Sequence, residues 1–248
     1  MNDQVRSGLH ARLRRPPSPY SVPGSLPVLF FGDLFSARIV TVGLNPSDQE
    51  YTDGNGQLLA VSRQRFATLD SLGATDRSNL DNEQCDEAIE WMHRYFDQNK
   101  PVYRWFAPLQ RLVDGLGASF TDGTAAHLDL VQEATDPTWS ALGRTDGTEQ
   151  VRLLAKDLPF LEWQIRTFPI QAVICAGKTV STHVQRRLDV DIHETGTLAL
   201  IRWWVGSASV DGRRVGFAGW NIPLQRATGL GAAGEQELGT LLRQKLGL

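Results

Sequence analysis

The sequence predicts a three-layer α/β fold in which helices cover both faces of a mainly parallel, four-stranded sheet. Three observations carry that expectation. Residues 37–44, 125–131 and 171–176 are short apolar runs with the length and composition of buried strands. Between them lie segments with apolar residues at helical spacing, and strands that alternate with helices build parallel sheets. Late in the chain, Asp211-Gly212 separates two strand-like runs, 198–205 and 213–219, as a hairpin turn does.

Residues 1–27 read as a basic, Pro-rich N-terminal arm, with Arg6, Arg12, Arg14 and Arg15 preceding Pro16, Pro17, Pro19, Pro23 and Pro27. Either it packs over the core as a lead-in or it contacts phosphate. Residues 28–248 are expected to form one domain. Its first strand stops at Gly43-Leu44-Asn45-Pro46-Ser47, because Gly43 and Pro46 end regular structure and leave an exposed loop. Residues 48–82 are polar, Gly-containing and aperiodic. A long excursion directly behind that loop reads as a lid or substrate-contacting insert, the alternative being a surface embellishment with a short helix near residues 63–69.

Ile89, Met92, His93 and Phe96, then Phe106, Leu109, Leu112, Val113 and Leu116, mark two amphipathic helices broken at Pro101. The run 125–131 follows as a strand with its own polar loop. Val151, Leu154, Leu158, Leu161 and Ile165 share one face of a helix over 149–168, and the strand 171–176 leads into a helix opened by Gly177-Lys178-Thr179. That triplet lacks the upstream glycine of a phosphate-binding loop, since position 172 is Ala, so a nucleoside triphosphatase is rejected. Residues 220–226 form another polar loop and a helix over 235–246 closes the chain. Residues 229–234 spell G-x-G-x-x-G, but no strand directly precedes them and too little chain follows for a dinucleotide fold.

Composition narrows the classes further. At 248 residues, 41% hydrophobic and 21% charged, the chain can bury one sizeable core. It contains no apolar run of membrane-spanning length and no secretory h-region, so no membrane partner and a cytoplasmic location are expected. Cys85 and Cys175 are the only cysteines, which excludes a disulfide framework and a four-cysteine metal or cluster site. No metal and no cofactor are expected, and a monomer is. The net charge of −3 requires any nucleic-acid contact to come from a local basic face.

Two places carry chemistry. Asn45 and Ser47 stand in a loop at the carboxyl end of a strand, where ligands bind in open α/β sheets. His127 and Asp129 are two apart, so on a strand they share a face, and a buried carboxylate is costly unless paired or used. The structural alternative for Asp129 is a satisfied carboxylate near a strand end.

Four strand-end blocks, Gly43-Leu44-Asn45-Pro46-Ser47, His127-Leu128-Asp129-Leu130, Val173-Ile174-Cys175-Ala176-Gly177-Lys178 and Trp220-Asn221-Ile222-Pro223-Leu224-Gln225, together resemble the uracil-DNA glycosylase superfamily. The first resembles the mismatch-specific and single-strand-selective branch, with its Gly-x-Asn-Pro-Ser motif. The resemblance spans about residues 28–226 and implies a uracil-DNA glycosylase-like fold, a DNA partner and a monofunctional enzyme that flips a base and leaves an abasic site. It implies that Asn45 positions the attacking water, that Asp129 reads the base, and that Asn221 supplies the last-motif catalytic group. Ile222-Pro223 departs from the Pro-Ser expected there. Ser47, Gly43 and His127 fall on the base side, with Tyr51 or Phe66 as the stacking platform. Leu224, Gln225 and Arg226 of the last loop, and Lys178, fall to DNA contacts.

Two departures bear on the base. An ionised Asp129 offers acceptors only, which suits the exocyclic amine of cytosine and repels O4 of uracil. Ser47 is small where classical uracil enzymes carry a tyrosine that blocks the 5-position. Both point toward a 5-substituted cytosine, as in modified phage DNA, and so toward a defence role. The alternatives are a repair glycosylase for uracil, thymine mismatches or hypoxanthine, a non-catalytic nucleic-acid-binding protein, and a free-nucleoside hydrolase.

Overall fold

The computed structural model describes residues 2–98, 104–225 and 229–248. Three five-residue strands, β1 (Ile39–Gly43), β2 (Ala125–Asp129) and β3 (Ala172–Ala176), lie side by side in the order β2, β1, β3 and are almost wholly buried. Their Ile, Val and Ala content fits that position, because parallel strands are covered on both faces. β6 (Arg213–Trp220) pairs parallel with β3, so four parallel strands end on one edge, at Gly43, Asp129, Ala176 and Trp220.

The sheet does not stop there, which corrects the four-stranded expectation. β5 (Ile201–Val210) pairs antiparallel with β6, and β4 (Asp191–Leu198) pairs antiparallel with β5, giving a six-stranded mixed sheet in the order β2-β1-β3-β6-β5-β4. The expected hairpin turn is present, with both Asp211 and Gly212 at positive φ and Val210 paired with Arg213. Its second strand, β6, joins the parallel set. β4 escapes a hydrophobic reading because none of its residues is buried, as suits a solvent-facing edge strand.

Eight α-helices are present among the described residues: α1 (Asp3–Leu13), α2 (Asn82–His93), α3 (Tyr95–Gln98), α4 (Ala107–Leu116), α5 (Trp139–Thr145), α6 (Gly147–Thr167), α7 (Lys178–Leu188) and α8 (Gly231–Leu246). They cover both sheet faces. Gly216 of β6 approaches Leu246 of α8, whereas Gly219, three residues on and so on the opposite face, approaches Ser181 of α7. α4 buries Leu109, Leu112, Val113 and Leu116 as expected, whereas α6 buries Leu161 and Ile165 of its expected face together with Leu153 and Phe160, and turns Val151 out to solvent.

Residues 2–27 are tied into the domain. α1 is capped by Asn2 and buries Leu9 and Leu13, and its arginines are engaged within the chain. Arg6 pairs with Asp86, Arg12 with Asp157, and Arg14 donates to the Leu80 carbonyl at 2.8 Å. Beyond α1 the chain runs extended along β2 and its loop. Val28 N–H donates to Gln132 O, and Phe31 and His127 exchange backbone hydrogen bonds. No described helix is long and apolar enough to cross a membrane.

Candidate functional site

β1 and β2 end side by side, with Thr41 opposite His127 and Gly43 opposite Asp129. The shared face of His127 and Asp129 follows from strand alternation, and both side chains are buried over Gly43. The Thr41 hydroxyl and His127 Nδ1 share a hydrogen bond of 2.7 Å, and His127 Nε2 lies 3.5 Å from Asp129 Oδ1. A hydroxyl, an imidazole and a carboxylate thus form a chain across two strands.

His127 and Asp129 open into a small cavity of about 50 Å³, lined also by Phe31, Asn45, Pro46, Ser47, Glu50, Trp105 and Phe106. Larger depressions lie along β4 and β5, one lined by Trp203 and Trp204 and the other by His193, Glu194, Ser207, Arg214 and Lys245. Phe31, Trp105 and Phe106 each pack a ring against His127, at centroid distances of 5.3, 5.5 and 5.1 Å. Phe31 and Phe106 are buried, while Trp105 is 38% exposed and so presents a free aromatic surface at the cavity.

Asn45 is oriented by its own loop and by the loop after β2. Its Nδ2 donates to the carbonyls of Pro46 (3.0 Å) and Glu133 (3.3 Å) and to Thr135 Oγ1 (3.3 Å). Those acceptors fix the amide and leave Oδ1 as an acceptor with no hydrogen bond among the described residues. The loop after β2 is itself held by buried charges. Glu133 accepts from both Arg77 Nη1 contacts at 2.9 Å and from Ser21 at 2.7 Å, and Arg12 sits between Glu133 and Asp157. Burial pushes the Glu133 carboxyl up, but Arg77, Arg12 and Ser21 outweigh it and bring the group below its ordinary value.

Glu50 was not among the residues singled out from sequence. It ends a short 3-10 turn, Asp48–Glu50, that starts on Ser47, and it is only 4% exposed although it lines the cavity. Its Oε2 accepts from Tyr95 O–H at 2.9 Å and faces Arg65 at 3.4 Å. Burial, with the charge of Asp129 adding to it, raises this carboxyl to about 7 against the pull of Arg65 and Tyr95.

Of the residues predicted from sequence, Asn45, Ser47, His127 and Asp129 meet at the cavity, with Gly43 beneath them. Ser47 is exposed at the mouth, its hydroxyl engaged with Asp48 Oδ1 and Gln49 N–H. Tyr51 and Phe66 are not the stacking platform. Tyr51 is buried and donates to the Leu26 carbonyl at 2.7 Å, and Phe66 is stacked inside an aromatic cluster with Tyr95. Phe31, Trp105 and Phe106 take the cavity walls instead.

Asn221 is not brought to the cavity. It stands at the end of β6, two strands from β1, where its Oδ1 accepts from Arg202 N–H at 2.8 Å and its carbonyl from Lys178 N–H at 3.2 Å. Leu224 is buried and so is not a surface contact, whereas Lys178 is exposed at the start of α7. Gln225 Nε2 donates to the Trp105 carbonyl at 3.1 Å, which ties the last loop to the cavity wall. Arg226 lies outside the described residues.

The fold and the site define an α/β protein with an aromatic-walled, two-carboxyl pocket at the carboxyl edge of its parallel strands. Comparison of the sequence with protein-family models and with curated proteins gives no match.

Proposed function

We propose that the chain is a monofunctional DNA N-glycosylase of the uracil-DNA glycosylase type, acting on a flipped base in the pocket at the ends of β1 and β2. The observation that carries this reading is the meeting of Asn45 and Asp129, from two different strand ends, in one aromatic-walled cavity. Asn45 Oδ1 is free to accept from a water, a positioning role that supplies orientation rather than basicity. The water oxygen bonds to C1′ of the sugar, the C1′–N electron pair leaves with the base, and the water proton ends on the base.

Trp105 supplies the exposed ring on which a flipped base stacks. Phosphate contact falls to exposed cations, Arg104 next to Trp105 and, further along the strand-end edge by Asn221, Lys178 and Arg202. Asp129 accepts from an exocyclic amine, and exposed Ser47 leaves the mouth open to a 5-substituent. A cytosine carrying a bulky 5-group, as in modified phage DNA, is therefore the preferred base, in keeping with a defence role in the cytoplasm.

The test is excision from oligonucleotides containing 5-substituted cytosines, uracil or hypoxanthine, read as alkali-labile abasic sites. Release of modified cytosine by the wild type, reduced about a hundredfold or more in Asn45→Ala with the fold retained by circular dichroism, is the expected result. No release from any duplex or single strand, or equal release by Asn45→Ala, overturns the reading. The net charge of −3 favours one competitor, a free-nucleoside hydrolase. Turnover of free nucleosides without salt-sensitive DNA binding selects it.

A further inference from the structure

Glu50 is a buried carboxyl that shares a cavity with a second one, Asp129. It comes from the insert behind the first loop, lines the same cavity as Asp129, and is nearly inaccessible except through that cavity. Both protein groups that bond its side chain, the Tyr95 hydroxyl from α3 and Arg65 from the insert, do so at Oε2. Oε1 carries no hydrogen bond among the described residues. The ionisable groups facing it are Tyr95, Arg65, Asp129 and, further along β2, His127.

Two carboxyls that share a low-dielectric pocket do not ionise together readily; one keeps its proton. Arg65 belongs to Glu50 by proximity but approaches only to 3.4 Å and is itself partly exposed, so it does not neutralise the site fully. Tyr95 O–H donates to Oε2 whichever way Glu50 is charged, so a proton on Glu50 belongs on Oε1, the oxygen left without a partner.

We propose that Glu50, as a neutral acid, and Asp129, as a carboxylate, form a donor and acceptor pair that reads an amino-pyrimidine edge, Glu50 donating to the ring nitrogen N3 and Asp129 accepting from the neighbouring amine. This deepens the reading of the pocket given above and rests on it. Cytosine offers that acceptor and donor side by side. Uracil offers a donor at N3 and an acceptor at O4, so each member of the pair meets a like group. Discrimination by leaving buried polar groups unpaired is strong, and the pair therefore makes specificity depend on the Glu50 proton.

The experiment measures binding of 2′-deoxycytidine and 2′-deoxyuridine to the intact chain by NMR titration between pH 5.5 and 8.5, for the wild type, Glu50→Gln and Glu50→Ala. With the Glu50 carboxyl at about 7, the protonated fraction falls roughly tenfold between pH 6 and pH 8, and wild-type affinity for deoxycytidine is expected to fall with it. Glu50→Gln, whose amide keeps a donor at all pH values, should bind with little pH dependence, and Glu50→Ala should bind weakly throughout. Tighter binding of deoxyuridine by the wild type, affinity that rises with pH, Glu50→Gln behaving like Glu50→Ala, or no binding of either nucleoside overturns the pair. The expected binding profile without excision from any oligonucleotide leaves the pair standing and removes the glycosylase reading, so the two fail separately.

Discussion

Gly43 and Asp129 are register partners at the ends of β1 and β2, and a methyl group on Gly43 would fall inside contact distance of Asp129 Oδ1 and 2.9 Å from His127 Nε2. The glycine is what lets a carboxylate and an imidazole fold over a strand end. Gly43→Ala is expected to displace both side chains and destabilise the protein by about 1–3 kcal/mol, the usual range for overpacking. Urea denaturation checks this, and a midpoint equal to the wild type's contradicts it.

Arg12, Arg77, Glu133 and Asp157 form a buried charge network beneath the loop that orients Asn45. Removing one member leaves the others uncompensated, so Arg12→Ala should cost about 3–5 kcal/mol. The network also carries a pH signature. The Glu133 carboxyl lies below its unfolded value of 4.5, so its stabilisation is present above that pH and is lost as pH falls through the lower folded value. The stability gap between wild type and Glu133→Gln should therefore be wide at pH 7 and narrow below pH ~4, measured by thermal melts.

Glu50 has the opposite sign. Its folded value of about 7 exceeds the unfolded 4.5, so between these pH values the unfolded chain has released a proton that the folded chain still holds. Stability falls as pH rises through that window, by about 3 kcal/mol in total. Glu50→Gln removes this loss, and its melting temperature relative to the wild type should climb from pH 5 to pH 8. A constant difference across that range contradicts the assignment.

Trp105 is the exposed aromatic at the cavity, and its contact with Gln225 runs through the backbone carbonyl. Trp105→Ala should therefore spare the last-loop tether and remove stacking, weakening substrate binding about tenfold or more, with a loss of stability of about 1–3 kcal/mol from its contacts with Phe106 and His127. KM or a fluorescence-detected Kd for a single-stranded oligonucleotide reports it.

Local pattern by itself determined the alternation of strand and helix, the Asp211-Gly212 turn, the loop at Asn45, and the common face of His127 and Asp129, because periodicity and turn chemistry are properties of neighbouring residues. Cys85 and Cys175 are likewise free, in keeping with the exclusion of a disulfide framework from their number. Tertiary structure alone decided the rest. β4 became a strand only through pairing with β5, having no buried face of its own to mark it. Tyr51 and Phe66 had the right chemistry for a platform, but packing among Phe31, Tyr95 and Leu26 took them into the core, and Trp105 inherited the exposed position. Glu50 acquired its proton-holding character from burial beside Asp129, and Arg12 found Asp157 far along the chain. Burial and long-range charge pairing arise only when distant segments meet, and no local pattern records them.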